Sequence, residues 1–463
     1  MKAKYYTTVA ALAAFACAAQ AGAATIYGSL DEADATEIKA AGENLDVELF
    51  PNDSDPAAEA FFKGNGNTVR SLTSENTSAK LNISGKTVID IAAADSGEYT
   101  ALNNAGTMTL GTDGVIEIAN SAGSAATAVL NLGDFTIGGG TYTNGFVFKT
   151  NARVSGTSLT VGKDSGPEES LRITNNSTVD YSVEKTTFAN FTGIKIDKGS
   201  TLNASGKMEF NGAAATLNID GTFNYAGTGI TLYRTTINGE FKFTGREMKL
   251  MGSSTINGGV LDSSGFVVIN ATDLTISNGG KINIDSTAAN RFRIALEERC
   301  TLNLKTENAL TDSKNGYADI VIRGKLAAYS SNATLHVYAD NMLGDLVFDR
   351  TENTILTIIV EDGAHLYFND VSYAYEQGKT TLNINKFVVN SIFFRNITGW
   401  NDITNVSLTD IEGNKYTKDQ LTWIKGKYTD GTDGYWLAIP EPSTYAAIFG
   451  AAALALVAFR RRK

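Results

Sequence analysis

The sequence predicts an all-β chain wound into a solenoid, on three observations. Composition favours short strands and tight turns: there are 45 glycines but 5 prolines, and only 19% of residues are charged, a balance that suits β-structure better than surface helices. A four-residue unit recurs through the body, with aliphatic residues second and fourth and a polar residue, commonly asparagine, third. It reads Lys80-Leu81-Asn82-Ile83, Thr201-Leu202-Asn203-Ala204, Thr216-Leu217-Asn218-Ile219, Lys281-Ile282-Asn283-Ile284, Thr301-Leu302-Asn303-Leu304 and Thr381-Leu382-Asn383-Ile384. Such alternation sends the aliphatic side chains to one face of a strand and the polar ones to the other. Finally, the small residue before the unit keeps a register through Ser200, Gly221, Gly239, Gly259, Gly280 and Cys300, at intervals of 21, 18, 20, 21 and 20 residues. A period near 20 marks stacked rungs.

Taken in chain order, residues 1–24 read as a secretory signal peptide. Lys2 and Lys4 give a basic start, Val9–Ala19 an apolar centre, and Ala21, Ala23 and Ala24 a small-residue cleavage region. Cys17 lacks the aliphatic residue of a lipobox before it and belongs to the apolar centre. Residues 25–74 are read as an N-terminal cap, because an open rung needs a cover and 29–70 is acidic and alanine-rich. Within it, Asp55-Pro56-Ala57-Ala58-Glu59 predicts a helix start.

Residues 75–400 form the predicted solenoid, with glycine at the corner slot taken to supply φ > 0. A pair of β-sandwiches is the rival fold, but sandwiches give turn signals every 8–12 residues and no register near 20. All three tryptophans, Trp400, Trp423 and Trp436, fall in the forty residues before position 440, and residues 401–439 predict a closing hairpin: Leu421–Lys425 and Tyr435–Leu437 flank the turn around Asp430–Gly434. Residues 75–400 resemble right-handed parallel β-helices, including the passenger domains of autotransporter-type surface proteins.

Residues 440–463 form an address. Pro440-Glu441-Pro442-Ser443 precedes an uncharged apolar run, Tyr445–Phe459, and then Arg460, Arg461, Arg462 and Lys463. As a helix the run rises about 22 Å, short of the roughly 30 Å hydrocarbon core, and snorkelling of the arginines narrows the gap. The basic cluster belongs on the cytoplasmic side, which puts the body outside the inner membrane. This three-part tail resembles the PEP-CTERM sorting signal of Gram-negative bacteria that make extracellular polysaccharide. The resemblance implies an exosortase-like processing enzyme as partner, a transient inner-membrane anchor through the apolar helix, and display at the cell surface, outer membrane or extracellular matrix. It implies a route and no activity.

Formal net charge is −11, and without the six basic residues of the two targeting segments the balance is 33 basic against 50 acidic. So acidic a chain repels phosphate backbones, so nucleic acid is not an expected partner. After signal removal Cys300 is the single cysteine. A buried small hydrophobe is preferred there to a reactive or bridging thiol, because the flanking stretch is strand-like.

Each candidate site has a plainer reading that is preferred. His336 and His365 take slots filled elsewhere by asparagine or threonine, so ordinary rung residues outweigh a general base or metal ligand. Asp430-Gly431-Thr432-Asp433-Gly434 offers carboxylates for calcium, as does Asp53-Ser54-Asp55, but Asp-Gly is a routine turn. Arg291-Phe292-Arg293-Ile294 with Glu297-Glu298-Arg299 is the densest charge cluster and keeps a β-helix lyase in view; a solvated strand face is the simpler account. The tryptophans suit cap packing before sugar stacking. No catalytic motif is present, and neither a cofactor nor a metal is expected.

The expectation is therefore a non-enzymatic, surface-displayed structural or adhesive solenoid, associated with extracellular polysaccharide. The alternatives are a β-helix polysaccharide lyase or hydrolase at the cell surface, and a calcium-dependent carbohydrate-binding module.

Overall fold

The computed structural model describes residues 24–439, apart from 40–44, 52–58, 93, 95, 112, 139–144, 163–168, 190, 271, 286–293, 315, 324–330, 350–353 and 374–379. Over these the chain is an all-β parallel solenoid of about 14 turns. One turn shows the plan. Thr201–Ala204, Lys207–Phe210 and Thr216–Ile219 lie on successive faces, and Thr222–Tyr225 returns to the first, where Thr201 pairs in parallel with Thr222 and Leu202 with Phe223.

The first face is a 13-stranded parallel sheet from Ala24–Tyr27 to Leu310–Asp312, continued by Asn341–Met342, Leu366–Phe368 and Ile392–Phe394 in a five-stranded sheet. The second face runs through strands such as Lys185–Phe188 and Lys207–Phe210, then through a seven-stranded sheet from Gly229–Leu232 to Val371–Tyr373. The third carries Val115–Ala119, Thr216–Ile219, Thr301–Leu304 and their neighbours as far as Asn405–Asp410.

Alternation does the packing. Leu202, Phe223, Phe241, Ile282 and Leu302 are all 0–1% exposed and share one core. Like residues stack on like from rung to rung, as Phe223 on Phe241 at 4.8 Å and Phe188 on Phe210 at 4.7 Å between ring centroids. Burying each such ring fully is worth roughly 1.5–3 kcal/mol.

Three expectations need correction. The corner register holds from Ser200 to Gly280, but its next member is Ala309, which precedes Leu310–Asp312 on the same face. Cys300 opens Thr301–Leu304 on the third face, where Leu302 pairs with Leu274 and Leu335. Nor do the corner glycines supply φ > 0. Positive φ falls one residue earlier, at Gly199 (82°), Gly258 (73°) and Gly279 (82°). At the slot itself the requirement is room: a Cβ at Gly221 would stand 2.2 Å from the Ser200 carbonyl oxygen, and one at Gly280 2.5 Å from that of Ile256. Third, the parallel stack reaches back into the stretch read as a cap. Ala24–Tyr27 pairs with Asp46–Phe50 and that strand with Ser71–Ser74, and Glu59 opens an 11-residue strand. Residues 52–58, with the rest of the predicted helix start and with Asp53 to Asp55, lie outside the described residues.

The far end closes differently. Lys415–Thr417 pairs antiparallel with Asn405–Asp410, and Thr422–Lys427 pairs antiparallel with Asp433–Ala438. Trp400 and Trp423 meet edge-on at 4.8 Å beside Phe394, filling the last turn of the core.

Candidate functional site: a polar groove along the first face

Along the first face one outward-pointing residue per rung stacks on the next, and successive rungs join these residues into one row. Its register is Arg153, Asp180, Asn203, Asn224, Lys242, Asp262, Asn283 and Thr311. The amides bind along the row. Asn203 Nδ2 donates to Asp180 Oδ1 at 2.7 Å, Asn224 Nδ2 to Asn203 Oδ1 at 2.7 Å, and Asn283 Nδ2 to Asp262 Oδ1 at 2.7 Å. The Thr311 hydroxyl donates to Asn283 Oδ1.

The row breaks at Lys242. Its ammonium turns to Glu240 at 2.9 Å, so it gives nothing to the Asn224 Oδ1, which is buried and has no hydrogen-bond donor. On either side of the break the row borders a trough at the corner toward the second face. One part, about 460 Å³, is lined by Asp180, Ser182, Asn203, Ser205, Asn224 and Lys242, among others. The other, about 490 Å³, is lined by Lys242, Asp262, Ser264, Asn283, Thr311 and Ser313, among others. Lys242 and Thr244 belong to both, which makes the two one groove along the stacking axis. Its lining mixes amide, hydroxyl and carboxylate groups with the cations Arg153 and Lys242, a set that donates to and accepts from hydroxyl groups.

The residues singled out from the sequence lie elsewhere. His336 stands outward on the third face, Nε2 at 2.7 Å from Glu361 Oε1 and its ring stacked on Tyr338 at 4.1 Å. The hydrogen bond to His336, followed by that to Lys386, holds the Glu361 carboxyl below its ordinary value. His365 Nδ1 lies 2.9 Å from Asp340 Oδ1. These two histidines are not brought together with the groove. Cys300 is buried, and burial pushes its thiol up to about 12. At that value the group is a thiol rather than a thiolate at neutral pH, as expected of a buried small hydrophobe.

The Asp430–Gly434 stretch is a hairpin turn: Thr432 N donates to Asp430 Oδ1 at 2.9 Å, and Gly431 N to the Tyr428 carbonyl at 2.9 Å. Among the described residues no group of three or more acidic, histidine or cysteine side chains is placed to hold a metal ion. In the densest charge cluster, Arg291 to Arg293, where the solvated face is expected, lie outside the described residues, and the strand that follows, Ile294–Glu297, is buried at all four positions. Glu297 instead joins a half-buried set on the outer side of the second face. It accepts from Asn270 Nδ2 at 2.8 Å and from Arg323 Nη1 at 3.3 Å, and Lys249 Nζ stands 3.4 Å away. Arg323 Nε also reaches Asp349 at 3.5 Å.

Sequence reading missed a second aromatic core. Met342, Tyr367 and Phe393 align on the outer side of the five-stranded sheet, and Trp436 follows in antiparallel register with Phe393. Tyr428, at the hairpin turn, packs on Tyr367 at 5.3 Å and on Phe393 at 5.4 Å. The signal was a run of aromatics at outward positions, which resembles inward ones until the strand's register is known.

The described chain ends where the address begins. Pro440, Glu441, Pro442, Ser443 and Arg460, Arg461, Arg462 and Lys463 lie outside the described residues, as do Ala21 and Ala23; Ala24 opens the first strand. No helix of the described residues is long and apolar enough to cross a membrane, and the predicted apolar helix 445–459 is not among them. Residues 438–463 match the family described as PEP-CTERM protein-sorting motif. No curated protein and no solved structure matches the chain. The motif is the recognition signal for exosortase processing, and it implies export to the cell surface or the extracellular space.

Proposed function

We propose that this exported, exosortase-sorted solenoid is a structural or adhesive component of the cell surface or its matrix, and that its groove binds polysaccharide without turning it over. The observation that carries the reading is the outward row itself, with one hydrogen-bonding side chain per rung from Asp180 to Thr311. Rungs repeat at about 4.8 Å, comparable to the advance of one sugar unit in an extended glycan. A polymer lying in the groove would therefore meet an amide, hydroxyl or charge at each step. Each contact with water-exposed groups is weak, and several in register multiply into useful avidity. Asp180, Asp262, Asp285 and Asp312 in the lining favour a neutral glycan over a polyanion.

The test is retention of the purified chain on a panel of neutral and acidic polysaccharides, with release of reducing ends or unsaturated sugars followed in parallel. Saturable retention by a neutral polysaccharide, weakened by Asn203→Ala with Asn283→Ala and without product, supports the reading. Retention unchanged by those variants, or turnover of any glycan, sinks it.

A polysaccharide-cleaving enzyme is the second reading. The half-buried Lys249, Glu297, Arg323 and Asp349 set favours it, since Asp349 Oδ1 is buried without a donor and such groups cluster at functional sites. Turnover abolished by Glu297→Gln would establish it.

A further inference from the structure

We infer that, before its tail is processed, the solenoid rests its closing end on the surface of an anionic membrane. This rests on the reading of residues 440–463 as a sorting tail with a transient anchor, and it concerns a surface of the folded body.

The first observation is how far the body holds the chain. Ala438 pairs with Thr422 across the final hairpin, and Ile439 packs against the main core. The apolar run begins at Tyr445, so Ile439 and the hydrocarbon boundary are six residues apart. Fully extended, such a link spans about 20 Å at most. The headgroup layer of one leaflet takes up roughly 5–7 Å of that. An anchored tail thus holds the closing end within about 15 Å of the headgroups, close to the range over which charges act at physiological salt, about 8–10 Å.

The second observation is what that end presents. Lys415–Thr417 and Thr422–Lys427 are terminal strands, each paired on one side only. Between residues 415 and 427 stand Lys415, Lys418, Lys425 and Lys427 against Asp419 alone, in a body with 33 basic and 50 acidic residues apart from its targeting segments' basic groups. Lys415, Lys425 and Lys427 are exposed, while Lys418 donates to the Asn401 and Ile403 carbonyls and holds the end together. Ile411 is 69% exposed and Ile424 51%, the former the most exposed large hydrophobic among the described residues. Exposed isoleucines flanked by lysines suit an interface of acyl chains and anionic headgroups. Glu412 beside Ile411, Asp419, and Asp433, whose carboxylate lies 3.9 Å from Lys427 Nζ, are the acidic residues that oppose it. The chain leaves the body beside Thr422, so the anchor emerges next to the strand carrying Ile424, Lys425 and Lys427.

Hydrogen exchange on the full-length exported chain, reconstituted through its tail, tests this. The probes are vesicles of phosphatidylcholine with phosphatidylglycerol, vesicles of phosphatidylcholine alone, and detergent. We expect slowed exchange at 411–414 and 422–427 in the anionic vesicles, less slowing in neutral ones, and loss of the effect in the combined Lys415→Glu, Lys425→Glu, Lys427→Glu variant. These side chains are exposed, and unchanged exchange in Thr222–Tyr225 would show that the variant keeps its fold. Exchange at 411–427 equal in vesicles and detergent, while the chain floats with the vesicles, overturns the docking and leaves the anchor standing. A chain that does not float overturns both. Slowing seen in native membranes but not in lipid vesicles also overturns it, and assigns the surface to a protein partner.

Discussion

A Cβ placed on Gly239 would stand 2.0 Å from the carbonyl oxygen of Gly221, one rung away. No real Cβ approaches so near, and the atom in the way is backbone, which cannot swing aside. Gly239→Ala should therefore destabilise the chain by about 1–3 kcal/mol, as overpacking does. Gly97→Ala is the comparison: nothing lies within 4 Å of its Cβ position, and its φ of 83° leaves only backbone strain. Faster hydrogen exchange in Glu240–Phe243 for the first variant, and not for the second, is the expected result. Equal behaviour of the two would mean that rung spacing at the corner relaxes.

The same contact explains how much of the fold is legible. A corner glycine recurs because stacked backbone forbids anything larger, so the register from Gly221 to Gly280 can be read directly. It fails at Cys300 because the next turn is long: Ala309 follows Gly280 by 29 residues, with 286–293 inserted between first- and second-face strands. Cys300 lies 20 residues on by coincidence. The groove is half legible. Asn203 and Asn283 read as outward from alternation, but Asn82 and Asn218 look the same and lie on other faces. One strand's pattern carries its inside and outside and not its side of the prism. Tyr367, Phe393 and Tyr428 were illegible as a second core because the contact joining them spans a hairpin and the rungs it folds over.

Acid should loosen the first turns early. Asp46 is buried, which pushes its carboxyl up, but hydrogen bonds from Arg70, Tyr99 and Ser71 outweigh burial and hold it below its ordinary value. A depressed folded value contributes stability above the unfolded one, about 3.9, and that contribution is lost as pH falls through the folded value. Asp46→Asn should destabilise Asp46–Phe50 and Ser71–Ser74 at neutral pH, with the gap to the parent chain closing below about pH 3.9. Exchange rates in those strands against pH measure it; a gap that persists in acid would assign the effect to packing.

Processing makes a mass prediction. The sorting motif covers residues 438–463, and the body grips the chain through Ile439. Protein taken from the cell surface should lack Arg460 to Lys463 and retain the Thr422–Ala438 hairpin. Intact mass reads both ends at once. A surface form still carrying the basic tail would argue for a permanent anchor.

The break in the outward row separates stability from binding. Asn283 donates to Asp262 and accepts from Thr311, so its removal strands a partner on each side. Asn224 donates to Asn203, but its own Oδ1 is buried without a donor. Deleting it loses one hydrogen bond and also removes an unpaired acceptor, and these terms oppose each other. A net hydrogen bond is worth about 0.5–1.5 kcal/mol and a buried unsatisfied group costs about 1–3 kcal/mol. Asn283→Ala should therefore destabilise by about 1 kcal/mol or more, while Asn224→Ala should be close to neutral or slightly stabilising. For glycan retention both should be weakened, because each removes one rung's contact from the groove. Local exchange in Thr222–Tyr225 and Lys281–Ile284 gives the stability half, and polysaccharide retention gives the other. If Asn224→Ala destabilised its strand as much as Asn283→Ala does its own, the acceptor is satisfied in solution, and the break in the row carries no stability consequence.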